Sequence, residues 1–170
     1  MGSGLLPVLA EVSFLVGDWQ GEGVAEYPTM DGPVRFAQRL QITAVPDLGV
    51  LSHVASSWDA ATGEVFAEES GWWRPGRDGE VELLLAHSLG VMEVYLGRPE
   101  AGRVELGTDL VFHTSTGEDV SAGRRLYGRV GEDLGVVVEM AAGGHPMRPH
   151  LSAQLVRYDL NAPPSAQPAS

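Results

Sequence analysis

The 170-residue chain contains no cysteine and no lysine. Without cysteine it can form no disulfide, zinc–thiolate site, iron–sulfur cluster or thiolate nucleophile. Any metal chemistry in this chain must therefore use histidine and carboxylate side chains.

Positive charge and long apolar runs are also scarce. The chain has 11 basic residues, all of them arginine, and 23 acidic residues, so its net charge is −12. Such a surface repels nucleic acid and anionic membranes, so we expect neither as a partner. No apolar run approaches the length of roughly 20 residues that a membrane helix needs. The N-terminus also lacks the basic segment followed by an apolar segment that is typical of a signal peptide. We therefore predict a cytoplasmic protein.

Short runs of period-two alternation make up most of the chain, after a first segment at residues 5–16 whose apolar spacing predicts a short helix or 3₁₀ cap. The runs are separated by glycine, proline and aspartate, which predicts strands joined by turns. The predicted strands lie near residues 18–27, 34–46, 49–58, 64–74, 80–87, 90–97, 102–113, 119–130, 134–142 and 150–158.

The connections between these strands are too short for parallel crossovers, so the strands are expected to be antiparallel neighbours. An all-β fold follows, a ten-stranded antiparallel up-and-down β-barrel with a short N-terminal helical cap. A closed barrel of this width leaves an internal ligand cavity, whereas a structural barrel with a filled interior would leave none. One domain is expected over residues 1–160, with a disordered tail rich in proline, alanine and serine over 161–170.

His150 is the strongest candidate for a ligand residue. Pro149 precedes it and Pro146 lies four positions upstream, so the backbone that approaches the histidine has little freedom. At the start of the last predicted strand, His150 would lie at the rim of a barrel. Strict alternation puts two sets of residues on opposite faces of that strand: His150, Ser152, Gln154, Val156 and Tyr158 on one, and Leu151, Ala153 and Leu155 on the other.

The other histidines and the carboxylates carry weaker signals. His145 could pair with His150 in a zinc site, but an irregular turn gives the two no common face, and we expect a loop residue. His87 shares the face of Val81, Leu83 and Leu85, which could be a cavity wall. Neighbouring carboxylates at Glu68 and Glu69 point to opposite sides of a strand and cannot act together. His53 and His113 are expected to be structural.

A glycine-rich motif near the N-terminus carries a family resemblance. It reads Gly17-Asp18-Trp19-Gln20-Gly21-Glu22-Gly23, with Tyr27-Pro28-Thr29 after it. Physically, Trp19 would close one end of a barrel, and the glycines permit a bend and close backbone approach. With Glu69-Ser70-Gly71, Leu85-Ala86-His87 and Pro149-His150-Leu151, the chain resembles the nitrobindin family of haem-binding ten-stranded barrels over residues 12–158.

The resemblance implies that His150 is the proximal ligand of the iron of haem b and that Thr29 lies against the porphyrin. The alternation of its strand makes His87 a further candidate for a cofactor-binding residue, in a distal or pocket-lining position. Members of the family bind nitric oxide on ferrous haem and isomerise peroxynitrite to nitrate on ferric haem, so these small molecules are the expected partners. A homodimer is left open. Several members have a distal histidine where this chain has Ala67, and we therefore predict five-coordinate iron.

A haem-free barrel of the fatty-acid-binding type is the alternative. It would use the same cavity for a small apolar molecule. Because fatty-acid carboxylates are usually held by buried arginine, an inward-pointing Arg39, Arg125 or Arg129 would favour it.

Overall fold

The computed structural model describes residues 7–159. Within that range the chain begins with helix α1 (Pro7–Glu11) and a 3₁₀ turn (Ser13–Leu15). Leu9, Val12 and Leu15 are fully buried in the main core, so this segment caps one end of the molecule. Residues 5 and 6 of the predicted cap and the predicted tail at 161–170 lie outside the described residues.

Ten antiparallel strands follow within the described range. Each strand pairs with the next along the chain, and the last pairs with the first, which closes the barrel that the sequence predicts. The strands are β1 (Gly17–Ala25), β2 (Val34–Val45), β3 (Val50–Asp59), β4 (Val65–Pro75), β5 (Val81–His87), β6 (Val91–Glu100), β7 (Arg103–His113), β8 (Val120–Val130), β9 (Asp133–Ala142) and β10 (Arg148–Arg157). A second 3₁₀ turn, Pro46–Leu48, joins β2 to β3.

The largest difference from the predicted bounds is at the end of β6. The sequence predicts that this strand stops at residue 97 and that a turn begins at Pro99, but the strand continues to Glu100, which pairs with Arg103. Gly102 adopts a positive φ of 74°, so Ala101 and Gly102 alone reverse the chain.

The glycine motif lies where β1 meets β10. Trp19 is buried, and its indole Nε1 donates to the Leu15 carbonyl at 2.8 Å, which ties the cap to the first strand. A Cβ on Gly21 would collide with the Gln154 carbonyl oxygen, and one on Gly23 with the Ser152 carbonyl oxygen. These glycines therefore allow β1 and β10 to approach closely.

The interior is divided into a packed end and an open end. Buried side chains fill the end beneath the cap, among them Ile42, Leu51, Trp73, Leu83 and Leu155. None of these five lines the cavity that occupies the other end. A completely filled interior is therefore excluded. No helix in the range 7–159 has the length and apolar character needed to cross a membrane.

Candidate functional site

The open end of the barrel leads into a cavity of about 580 Å³. Its wall is mostly apolar, and its volume lies within the range of sites for small molecules and cofactors. Thr29, His87 and His150 all line it. Three candidate residues that are far apart in sequence are thus brought to one space.

His150 reaches this cavity because β10 is irregular. Pro149 pairs with Glu139 and Leu151 pairs with Val138, so His150 is an extra residue in the ladder between β10 and β9. Such a bulge re-aims a side chain relative to the alternation of its strand.

The predicted face of His150 was therefore wrong. Both His150 and Leu151 line the cavity, whereas Ser152, Gln154 and Val156 are exposed on the outer surface. Strict alternation would have pointed His150 outward with them. The extra residue at the bulge breaks that alternation, and the sequence pattern alone does not reveal it.

The imidazole of His150 has a nitrogen that no protein group uses. Its Nδ1 atom is buried and has no hydrogen-bond partner among the described residues. Burial lowers the pKa of His150, and the positive charge of Arg125 lowers it further. A hydrogen bond with the Glu26 backbone opposes this shift but does not cancel it. A neutral ring with an available nitrogen lone pair is the form that binds a metal ion.

Tyr27 holds the segment that carries His150. Its hydroxyl accepts a hydrogen bond from the Ala142 amide at 2.9 Å and donates to the Met140 carbonyl at 3.1 Å. Its ring contacts the imidazoles of both His145 and His150 edge-on. Tyr27 therefore links the residues after β1, the end of β9 and the start of β10. The sequence motif contains this tyrosine, but its position did not reveal a role.

His87 lines the cavity as its alternation predicts, but both of its nitrogens face carboxylates. Nε2 lies 2.6 Å from Glu93 Oε2, and Nδ1 lies 3.4 Å from Glu69 Oε2. Ala67 also lines the cavity and offers no ligand atom. Within residues 7–159, no group of three or more histidine and carboxylate side chains is arranged to hold a bare metal ion.

A buried charged cluster forms the inner end of the cavity. Arg125 is buried and points inward, as the fatty-acid-type alternative requires of one arginine. Its guanidinium, however, is already paired with the Glu69 carboxylate at 2.7 Å. The other two arginines point elsewhere, Arg39 toward Asp18 at 3.8 Å and the exposed Arg129 toward the Phe14 ring.

Two tyrosines in this cluster are held in the neutral form. Burial raises the pKa of Tyr127 to about 12, although the charge of Arg125 opposes the change. Burial also raises the pKa of Tyr95, again against the charge of Arg125. For Glu93, burial alone would raise the pKa. The hydrogen bond from His87 and the charge of Arg125 outweigh burial and lower the pKa of this carboxyl.

Together, a closed antiparallel barrel, an apolar cavity and a histidine with an unpartnered nitrogen at its mouth define a ligand-binding barrel. The chain matches the model of the THAP4-like, heme-binding beta-barrel domain over residues 8–157, and it belongs to that family. The resemblance to nitrobindins is thereby confirmed.

Individual relatives agree with this assignment. The chain is 40% identical over 163 residues to a peroxynitrite isomerase of Frankia casuarinae. This match covers 88% of this chain and 85% of the relative. It is also 40% identical over 177 residues to a ferric nitrobindin-like protein of Thermobifida fusca, and this match covers 94% of this chain and 98% of the relative. The crystal structure of Rv2717c from M. tuberculosis has a TM-score of 0.82 and 31% identity, and the match covers 92% of this chain and 100% of that chain.

Proposed function

We propose that this chain binds haem b through His150, binds nitric oxide, and isomerises peroxynitrite to nitrate. The observation that carries the proposal is the buried, unpartnered nitrogen of a neutral imidazole beside an apolar cavity. Family membership supports haem as the ligand, and relatives that are named peroxynitrite isomerase support the reaction.

The absence of cysteine supports a haem that is held without covalent bonds, as haem b is. With no cysteine in the sequence, no thioether bond to a vinyl group can form. The cofactor would therefore be held by the bond from His150 and by contact with the apolar wall. Thr29 at the mouth would lie against the porphyrin.

Each part of the site has a separate task. When bound, haem iron supplies an open coordination position for nitric oxide or peroxynitrite and, in the ferric state, Lewis acidity toward peroxynitrite. Tyr27 fixes the segment that carries His150, through two hydrogen bonds and one ring contact. The mostly apolar wall would contact the porphyrin and so keep water from that part of the cavity. His87 lines the cavity but is anchored by Glu93. A cytoplasmic location stays a prediction of the sequence, and a homodimer stays open.

The test is hemin titration of His150→Ala. Loss of the imidazole should abolish or greatly weaken hemin binding, measured by the Soret band, while circular dichroism keeps the signature of the folded barrel. Free imidazole should restore part of the Soret band, because it supplies the same nitrogen in the vacated space.

His145→Ala is the matched control. This histidine contacts the same tyrosine ring but does not line the cavity. The His145→Ala variant should bind hemin with the affinity of the unmodified protein. Unchanged hemin affinity in folded His150→Ala would overturn the assignment and favour the haem-free barrel instead.

A further inference from the structure

The ion pair between Arg125 and Glu69 crosses the inside of the barrel. Arg125 lies on β8 and Glu69 on β4, strands that are not neighbours in the sheet. The guanidinium donates twice, from Nη1 to Oε1 at 2.9 Å and from Nη2 to Oε2 at 2.7 Å. This two-point geometry is the one in which arginine recognises a free carboxylate.

A histidine supplies a further donor to the same carboxylate. His53 is fully buried, and its Nδ1 accepts a hydrogen bond from the indole Nε1 of Trp73 at 3.2 Å. Because indole can only donate, the proton of the neutral His53 ring must be on Nε2. That nitrogen lies 2.9 Å from Glu69 Oε1 and donates to it.

The tyrosine on the same strand as the arginine completes the arrangement. Arg125 Nη1 also donates to the Tyr127 hydroxyl at 3.1 Å. The Glu93 carboxylate lies further away, 3.7 Å from Arg125 Nη2, and its nearest partner is His87 at 2.6 Å. Both amino groups of the Arg125 guanidinium and the ring of His53 therefore donate to Glu69.

These donors require an anion. A buried guanidinium is costly unless it is paired. Burial alone would raise the pKa of Glu69, but the charge of Arg125 and the hydrogen bond from His53 outweigh it and hold the pKa well below its usual range. Glu69 is thus ionised at neutral pH and lies at the inner end of the cavity.

We propose that Arg125 and His53 form a carboxylate-binding site whose occupant is Glu69 of the same chain, with the Tyr127 hydroxyl accepting a hydrogen bond from the Arg125 guanidinium. By filling this site, Glu69 determines the specificity of the cavity, because it prevents an aliphatic monocarboxylic acid from placing its carboxylate against Arg125. Removal of the Glu69 side chain opens the site to a small carboxylate from solution.

The test is thermal unfolding of Glu69→Ala, without added haem, in sodium acetate and in sodium chloride of equal ionic strength. The variant should be less stable than the unmodified protein in chloride, because Arg125 loses its two hydrogen bonds to Glu69 and is left with the more distant Glu93 carboxylate at 3.7 Å. Acetate at ten times its dissociation constant should raise the Tm of the variant by about 3–6 °C relative to chloride. Decanoate should also bind to this variant in a saturable one-to-one titration.

Two variants serve as controls. Glu68→Ala removes the neighbouring carboxylate, which borders the cavity but is exposed and bonded to Ser56, and the variant should show no specific response to acetate because Arg125 keeps Glu69. Glu69→Ala with Arg125→Met removes both charges, so it should lose the responses to acetate and decanoate.

Equal effects of acetate and chloride on Glu69→Ala would overturn the proposal, as would an acetate response that persists without Arg125. If Glu69→Ala does not fold in chloride, the readout becomes recovery of the folded circular dichroism signal on refolding. Acetate, and not chloride, should then recover it, and failure to do so overturns the proposal equally. Hemin is absent throughout, so the outcome is independent of haem binding at His150.

Discussion

The ring of Tyr27 lies edge-on to the imidazole of His150, with ring centroids 5.6 Å apart and planes at 88°. The hydroxyl of the same tyrosine bonds to backbone groups of Ala142 and Met140. The orientation of the His150 imidazole, on β10, therefore depends on the side chain of Tyr27, which follows β1.

We expect Tyr27→Phe to keep the ring contact and lose the hydrogen bonds. The buried Ala142 amide would be left without a partner, which should lower the free energy of unfolding by about 1–3 kcal/mol. Hemin affinity should fall a few-fold, because the segment before β10 is held less firmly. Denaturant titration and hemin titration measure the two effects. Tyr158→Phe, at an exposed tyrosine, is the control and should change neither quantity.

The iron in the reconstituted protein should be five-coordinate. Both nitrogens of His87 face carboxylates, and Ala67 has no ligand atom, so the described cavity wall offers no second ligand at either position. The ferric spectrum should be high-spin, and His87→Gln, which keeps a donor for Glu93, should leave it unchanged. A low-spin spectrum at neutral pH that disappears in His87→Gln would contradict this prediction.

Gly21→Ala should destabilise the barrel. Its new methyl group would collide with the backbone carbonyl of Gln154, which cannot move without disturbing the ladder between β1 and β10. Overpacking of this kind should cost about 1–3 kcal/mol in the free energy of unfolding. Gly107→Ala is the matched control, because no atom lies within 4 Å of the added Cβ. Equal stability of the two variants in denaturant would show that β1 and β10 are not in close contact.

Tyr95 and Tyr127 should ionise late in an alkaline titration. The pKa of each is raised by burial, that of Tyr127 to about 12. Because the folded protein binds these protons more tightly than the unfolded chain, stability should decrease as the pH rises above about 10. Phenolate absorbance at pH 11 should therefore be smaller in the folded protein than in the protein unfolded by denaturant. Equal absorbance would show that the two hydroxyls are accessible to solvent.

The architecture was predictable from sequence because it depends on local signals. Turns containing glycine or proline divide the chain, and alternation between them assigns each strand its inner face. The position of His87 on the cavity wall and the exposure of Glu68 both agree with that alternation. Strand number, antiparallel pairing and closure then follow from the shortness of the connections.

The site was less predictable because it depends on register. His150 enters the cavity through a bulge, and one extra residue in a ladder leaves no clear mark in the alternation. Glu69 and Arg125 meet across the lumen, and no local pattern relates a residue on β4 to one on β8. Alternation does put Glu69 on the same face as Trp73, and a carboxylate on a buried face is a signal that it needs a partner.

The pairing of β1 with β10 has a consequence for how the protein folds. Within residues 7–159, every other ladder joins strands that are consecutive in the chain, whereas this one joins Ala25 to Leu151 and Trp19 to Arg157. Contacts between such distant parts of a chain form slowly. The hairpins can therefore assemble early, and the joining of the two ends is expected to limit the folding rate. Since Tyr27 follows β1 and His150 lies on β10, the ligand site comes into being only at that final step, and an unclosed meander has no place for a ligand.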